Sequence, residues 1–337
     1  MIWRLLMAAV ILAAGGWSAW WFVGSAAHDR ALNAWLADRR AAGWQAEAAS
    51  LRTVGFPNRF DTRIERLSLA DPSAGWAWEA PFLDVMMMSW LPTAAILAFP
   101  PEQSLAVPGA RTVVASEGLR ASVRFAAGRS LSLIRASVEG RDIALQGPDW
   151  RAGAVAMQAD VQQAQAGTTP DHGYDVHVAL EGLRPTEALR DRVDPAGALP
   201  ELAQAVRLDA KVAFDRPLDR FAVEDRPPQI RAMSVTSFEA AWGRLALRAN
   251  GRLQADAQGF AEGRLNVRAE NWREMLRVAA DAGALDRDLA RLIEQGLGLI
   301  AALSGDGEAI EAPLTFSGGR MSIGPVPLGP APRFATP

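Results

Sequence analysis

The sequence predicts a mainly β protein, a β-rich α+β chain in which an N-terminal transmembrane helix is followed by curved antiparallel sheets and a few packed helices. Three features point there. Residues 5–24, LLMAAVILAAGGWSAWWFVG, hold no charge. The run from 244 to 270 alternates apolar and charged residues, and much of the remaining chain falls into short apolar stretches punctuated by Gly, Pro and Asp. An apolar helix of ~20 residues rising ~1.5 Å per residue reaches ~30 Å, the hydrocarbon thickness of a bilayer. A period of two is what a half-buried antiparallel sheet requires, because successive side chains of a strand point to opposite faces.

Arg4 precedes the apolar segment and, by the positive-inside tendency, keeps the N-terminus in the cytoplasm and sends the rest of the chain outward. Trp17, Trp20 and Trp21, with Phe22, crowd the far end, where amphipathic rings favour the headgroup layer. A cleaved signal peptide is the competing assignment, because Ser25-Ala26-Ala27 offers small residues at a peptidase's spacing; typical signal h-regions, however, run only ~7–15 residues. The expectation is a single-pass anchor over 1–27, with residues 28–337 forming an exported β-rich domain outside the cytoplasm, divisible into sub-halves 28–183 and 184–337.

Leu32, Trp35, Leu36 and Arg39 recur at helical spacing and predict a short stalk helix over 28–42, ended by Gly43. Gly55-Phe56-Pro57-Asn58 reads as a hairpin connection. Strands are expected near 60–69, 75–90, 111–126, 131–146, 151–163 and 174–181, spaced as an antiparallel meander. A helical region over 185–205 is broken around Asp194-Pro195-Ala196-Gly197, since an internal Pro costs a helix ~3 kcal/mol.

Leu245, Leu247, Ala249, Leu253 and Ala255, then Ala261, Leu265, Val267 and Ala269, occupy odd positions, while arginines and carboxylates occupy even ones, with a turn at Gln258-Gly259. Asn271 is placed to cap a helix from Trp272. Leu285, Leu289, Leu292, Ile293, Gly296, Leu299, Ile300 and Leu303 follow as one helical stripe, whose natural partner is the apolar face of that hairpin. The tail from Pro325 is rich in proline and predicts an extended edge.

Residues 85–99 carry no charge and do not alternate. Asp84 and the prolines at 92, 100 and 101 argue against a second span, as does a length below ~20 residues. The stretch is either a strand and loop covered on both faces, or a greasy rim where Met87, Trp90, Leu91, Ile96, Leu97 and Phe99 meet lipid or a partner.

The chemistry read from the chain is mostly negative. Lys+Arg 35 against Asp+Glu 38 gives a net charge of -3, which supplies no bulk positive field for nucleic acid. Zero cysteines exclude disulfides, thiolate metal sites, iron–sulfur clusters and Cys nucleophiles. On a strand Asp175 and His177 share a face, yet they are two of the three or four ligands a zinc site wants. Gly296-Leu297-Gly298 sits in a helical stripe, without the preceding strand of a dinucleotide fingerprint. There is no Gly-x-Ser-x-Gly elbow, no phosphate-binding loop and no His-Glu-x-x-His. No catalytic residue, metal ligand or cofactor is expected.

The single N-terminal span, Gly55-Phe56-Pro57 with Arg59-Phe60, the segment Trp76-Ala77-Trp78-Glu79-Ala80-Pro81, and the closing run Gly251-Arg252-Leu253-Gln254-Ala255-Asp256 through Gly263-Arg264-Leu265 resemble a bacterial envelope family known as domain of unknown function 2125. The family carries no established catalytic residues. The alternating hairpin, Asn-Trp helix and final Gly-rich strand are also similar, more distantly, to AsmA-like envelope proteins. That similarity implies curved sheets with an apolar concave face and roles in lipid movement or outer-membrane upkeep. The functional expectation is a non-catalytic envelope protein, anchored in the bacterial inner membrane with its bulk in the periplasm, whose sheet forms a trough for lipid or another amphiphile, unless the 285–303 helix fills it. The alternative is a scaffold docking another envelope protein through 85–99.

Overall fold

Rich in Ala and Leu and free of proline, the first forty residues sustain one helix, α1 (Ile2–Ala41), which ends before Gly43 takes a left-handed φ of 88°. The expected anchor and stalk are thus a single rod, and the 27/28 boundary falls inside it. The computed structural model describes residues 2–335 apart from 166, 168–171, 195–196, 198, 225–226, 282, 284–285, 305–307 and 325. It is mainly β with antiparallel sheets, as the sequence predicts. The chain divides into two compact units, Met1–Phe125 with Ala144–Asp149, and Ala126–Ile143 with Trp150–Pro337. The predicted division at 183/184 would instead cut through a strand paired on both edges.

The first unit is a meander of β1 (Gln45–Glu47), β2 (Ser50–Val54), β3 (Arg59–Asp71), β4 (Trp76–Met88), β5 (Leu91–Ala98), β6 (Glu102–Val107) and β7 (Ala110–Phe125). Here β1 and β2 share one edge of β3, β4 takes the other, and β5 and β6 both lie between β4 and β7. The interruption between β5 and β6 falls at Pro100-Pro101, where two successive residues have no N–H to give a ladder. The uncharged stretch is therefore the end of β4, a turn at Ser89-Trp90, and β5, rather than one strand and a loop. Leu36 of α1 packs with Ile64, Leu67, Leu69 and Leu83 in the core.

The second unit follows β8 (Leu133–Gln146), a strand with residues in both units. Its strands β9 (Arg151–Gln163), β10 (Gly173–Arg184), β11 (Ala203–Phe214), β12 (Ile230–Trp242), β13 (Leu245–Ala255), β14 (Ala261–Glu270), β15 (Ala309–Ser317), β16 (Arg320–Ile323) and β17 (Val326–Pro330) each pair antiparallel with the next. Among the described residues of the helical region 185–205 one helix forms, α2 (Glu187–Val193), its first turn capped by the Thr186 hydroxyl, which accepts the Leu189 N–H at 3.2 Å. The short α3 (Phe221–Glu224) precedes β12.

The alternating run forms β13 and β14 with its odd residues inward, in the register Leu247↔Ala269. Gly251 and Gly263 sit where a Cβ would lie 2.3 Å from the facing carbonyl oxygen, at φ of 148° and 137°, so only glycine permits that close strand approach. Two helices, α4 (Trp272–Asp281) and α5 (Arg287–Ser304), lie on this face: Trp272, Ile293 and Leu297 pack with Ala269, Ile310 and Ala312. Leu297 is thus a core residue of a helix. Leu285, and the side chains of Leu299, Ile300 and Leu303, lie outside the described residues, as do Pro195, Ala196 and Pro325. At the start of α4 the Asn271 amide donates to the Arg244 carbonyl at 2.6 Å, and its backbone carbonyl accepts the Met275 N–H at 3.1 Å. The extended tail pairs as β17 with β16, and Phe334 packs beside Phe260.

Ile293 is only 1% exposed, whereas Leu292 on the outer side of α5 is 51% exposed. Ile293→Ala is expected to cost about 2–5 kcal/mol and Leu292→Ala about 0.5 kcal/mol or less, read as midpoints of chemical denaturation of the full chain in detergent. Equal costs would mean that α5 does not seal the sheet through Ile293.

Candidate functional site

Two features organise the chain's apolar surface: the junction of α1 with the first unit, and the apolar face of the second. At the junction three indole N–H groups donate to turn carbonyls. Trp17 reaches the Pro57 oxygen at 2.9 Å, Trp21 the Arg59 oxygen at 2.7 Å, and Trp20 the Ser89 oxygen at 3.3 Å. Pro57 and Ser89 lie in the two hairpin turns at one end of the sheet, 55–58 between β2 and β3 and 89–90 between β4 and β5, and Arg59 opens β3 directly after the first turn. The turns are tied to each other, because the Ser89 N–H donates to the Asn58 carbonyl at 2.9 Å.

Aromatic packing completes the junction. Phe56 stacks on Phe22 at 5.7 Å and meets Trp21 edge-on at 5.4 Å, while Phe60 lies against Trp21 and His28. A Cβ on Gly24 would come within 2.6 Å of the Phe60 ring, so the helix approaches β3 closely there. Further along, the Thr53 hydroxyl donates to the Asp29 carboxylate and contacts Thr62 at 2.6 Å. Arg4 sits exposed near the start of α1. Sequence reasoning placed Trp17, Trp20, Trp21 and Phe22 at a membrane boundary but missed their partners, which are backbone atoms 38 to 69 residues away and leave no compositional trace.

The residues singled out in 85–99 separate into two groups. Leu97 and Phe99 pack against the core of the first unit, with Val85 opposite Leu97, and Met87 pairs with Phe60 across β3 and β4. Trp90 and Ile96 are exposed, and Leu91 is half-buried.

In the second unit, cross-strand registers align apolar rows. Met157, Leu180, Val206, Ala240 and Leu247 form one, and Ala159, Val178, Leu208, Phe238 and Ala249 the next. The opposite face carries polar pairs between neighbouring strands: ion pairs of Lys211 with Asp175 at 2.5 Å, Arg207 with Glu181 at 2.9 Å and Arg248 with Glu270 at 3.0 Å, and a His177–Asp209 hydrogen bond at 2.7 Å. Asp175 and His177 do share a face, each answered by a cross-strand partner. Helices α4 and α5 cover the part of the apolar face on β13 to β17. On β9 to β12 the rows are only partly buried.

Among the described residues no three His, Asp or Glu side chains converge to hold a metal ion. A hollow of about 400 Å³ in the first unit is lined by Arg66, Glu102 and an Arg111–Glu79 pair at 2.6 Å together with Leu67, Ala80, Pro81 and Val113.

An apolar helix joined to a mainly β body, with an amphipathic sheet and its charged face internally paired, defines a class of helix-tethered β-sheet proteins. The chain belongs to the family described as "Uncharacterized protein conserved in bacteria (DUF2125)", whose profile matches residues 21–332. No curated protein and no solved structure matches the chain. Nothing in these comparisons extends the kinship to AsmA-like proteins.

Burial pushes the His28 imidazole below its ordinary value of about 6.5, an effect that neighbouring Asp29 partly opposes. Its buried Nε2 has no hydrogen-bond partner among the described residues. Above pH 6.5 the ring is neutral whether packed or not. As pH falls through that value the unpacked chain takes up a proton that the packed ring resists, so the junction loses stability. The melting temperature of the detergent-solubilised chain should therefore drop between pH 7.5 and 5.5 by more than that of His28→Leu. Parallel curves for the two proteins would remove His28 from the pH response.

Proposed function

We propose that this is a non-catalytic, single-pass membrane protein that holds a lipid or another amphiphile on the apolar face of its sheet as part of cell-envelope maintenance. In this reading α1 is an uncleaved anchor. Its length and hydropathy suffice for one span. The Ser25-Ala26-Ala27 sequence that a signal peptidase would need lies in mid-helix, between the tryptophans fixed to the hairpin turns and Leu36 fixed in the core. Arg4 orients the span with the β-rich part outside the cytoplasm, which in a bacterium with two membranes is the periplasm.

The observation that carries the binding reading is the pair of partly buried apolar rows on β9 to β12, beyond the part of the face that α4 and α5 cover. An acyl chain laid along them gains ~0.8 kcal/mol per buried methylene without any polar group to anchor it. The ion-paired opposite face needs no ligand of its own.

Native mass spectrometry of the full chain, washed in detergent after extraction from the membrane, is expected to show a retained phospholipid or fatty acid. Val178→Asp and Leu208→Asp should lower that retention about tenfold, equivalent to losing about two buried methylenes, while Glu181→Gln on the charged face leaves it unchanged. A folded, lipid-free wild-type protein would sink the reading. Photocrosslinks from position 178 to protein in place of lipid would transfer the face to a scaffold role.

A further inference from the structure

The helix that anchors the chain is too short to span a bilayer if the membrane ends where the β-domain begins. Trp17 is already bonded to Pro57, so the part of α1 that stands clear of the β-domain is residues 2–16. At ~1.5 Å per residue those reach only ~22 Å, against a hydrocarbon layer of ~30 Å. Counting from beyond Arg4 shortens the clear part to about 18 Å. The uncharged sequence itself continues to Gly24. Residues 17–24 are therefore needed inside the membrane, and they are the residues clasped by the turns at 55–58 and 89–90.

Those turns have the surface such a position demands. Val54, Phe56, Met88 and Trp90 are 46%, 52%, 44% and 55% exposed, and no charge occurs over 53–58 or 85–99. Arg52 and Arg59 flank the first stretch and Asp84 precedes the second; Arg59 pairs with Asp61 at 3.0 Å, Asp84 pairs with Arg63 at 2.7 Å, and Asp29 accepts from the Thr53 hydroxyl. The turn backbone is also prepared for a place without water. Irregular chain tolerates hydrocarbon depth only where its polar groups find partners in the protein. The carbonyls of Pro57, Arg59 and Ser89 have theirs in the three indoles, and each indole N–H is satisfied by the same bond.

We propose that the two hairpin tips, Val54–Asn58 and Met88–Leu91, are sunk into the leaflet from which α1 emerges, so that the bilayer boundary crosses the protein near Gly24 instead of at Trp17. The occupant of this apolar rim is the lipid of that leaflet. The tryptophans act as an intramembrane clasp between helix and sheet, in place of headgroup anchors. This inference rests on α1 being a retained membrane span.

The chain has no cysteine, so a single introduced one takes a nitroxide label at one known place. We would label Phe56→Cys, Trp90→Cys, Val10→Cys in the clear part of α1, and Ser73→Cys in the turn at the other end of β4. Each full-length protein is reconstituted in phosphatidylethanolamine–phosphatidylglycerol vesicles, and collision rates with oxygen and with a water-soluble nickel chelate are measured. Labels at 56 and 90 are expected to resemble that at 10, with oxygen access several-fold above chelate access, while 73 shows the reverse. If 56 and 90 behave like 73 while 10 reports hydrocarbon, the tips lie in water and the inference is overturned with the anchor intact. If 10 itself reports water, the anchor reading fails and the inference with it. Trp90 is exposed, so its replacement leaves the core undisturbed, and agreement between 56 and 90 guards against a local effect of losing the Phe56 stack.

Discussion

An extended chain sends alternate side chains to opposite faces, and every apolar face so created must be covered or left to an apolar neighbour. The arrangement of this protein follows from that constraint. In the first unit α1 contributes Leu36 to the face built by Ile64, Leu67, Leu69 and Leu83. In the second, α4 and α5 seal β13 to β17 around Trp272 and Ile293. Helices are the minority element, and their role is to cap sheets. What they leave uncovered, the rows of β9 to β12 and the tips of two hairpins, is where the protein has apolar surface left for another molecule.

The charged faces answer a different requirement. Cross-strand pairs such as Lys211–Asp175 and Arg207–Glu181 lie in solvent, where an individual ion pair contributes ~0–1 kcal/mol. Their value lies in register: a one-residue slip would set Asp175 opposite Ala210 or Val212 in place of Lys211 and turn the apolar rows outward. With no cysteine to staple it, the sheet keeps its alignment through side-chain pattern and packing.

How much of this was legible in the sequence depends on whether a feature is local. The alternation at 244–270 fixed both strands of the β13–β14 hairpin and the inward set, and the Leu-Ile stripe after Asn271 identified the helix that lies on it. By contrast β12 was unreadable because its register shifts between Val235 and Phe238, which reverses the parity of the pattern midway. The uncharged stretch hid a hairpin for another reason. Its strands carry apolar residues on both faces, Leu97 toward the core and Ile96 away from it, so no alternation remained to announce them. The boundary expected after residue 27 followed the end of the uncharged run at Gly24 and the small residues Ser25-Ala26-Ala27. Yet Asp29 bonds Thr53 on β2, so the rod continues along the sheet. The tryptophan clasp required knowing where Pro57, Arg59 and Ser89 would be, which only the folded chain specifies.

Because α1 runs unbroken from Ile2 to Ala41, its apolar segment and the segment packed on the sheet are one stiff lever. On the proposed reading of α1 as a membrane span, orientation is inherited by the first unit, where a conventional tether would let a soluble body tumble. The outer half of the rod, ~30 Å at ~1.5 Å per residue, would then turn a ~10° change in transmembrane tilt into a sideways displacement of about 5 Å at its far end. A mismatch in bilayer thickness that tilts the span would thereby change the angle at which the first unit's sheet faces its surroundings.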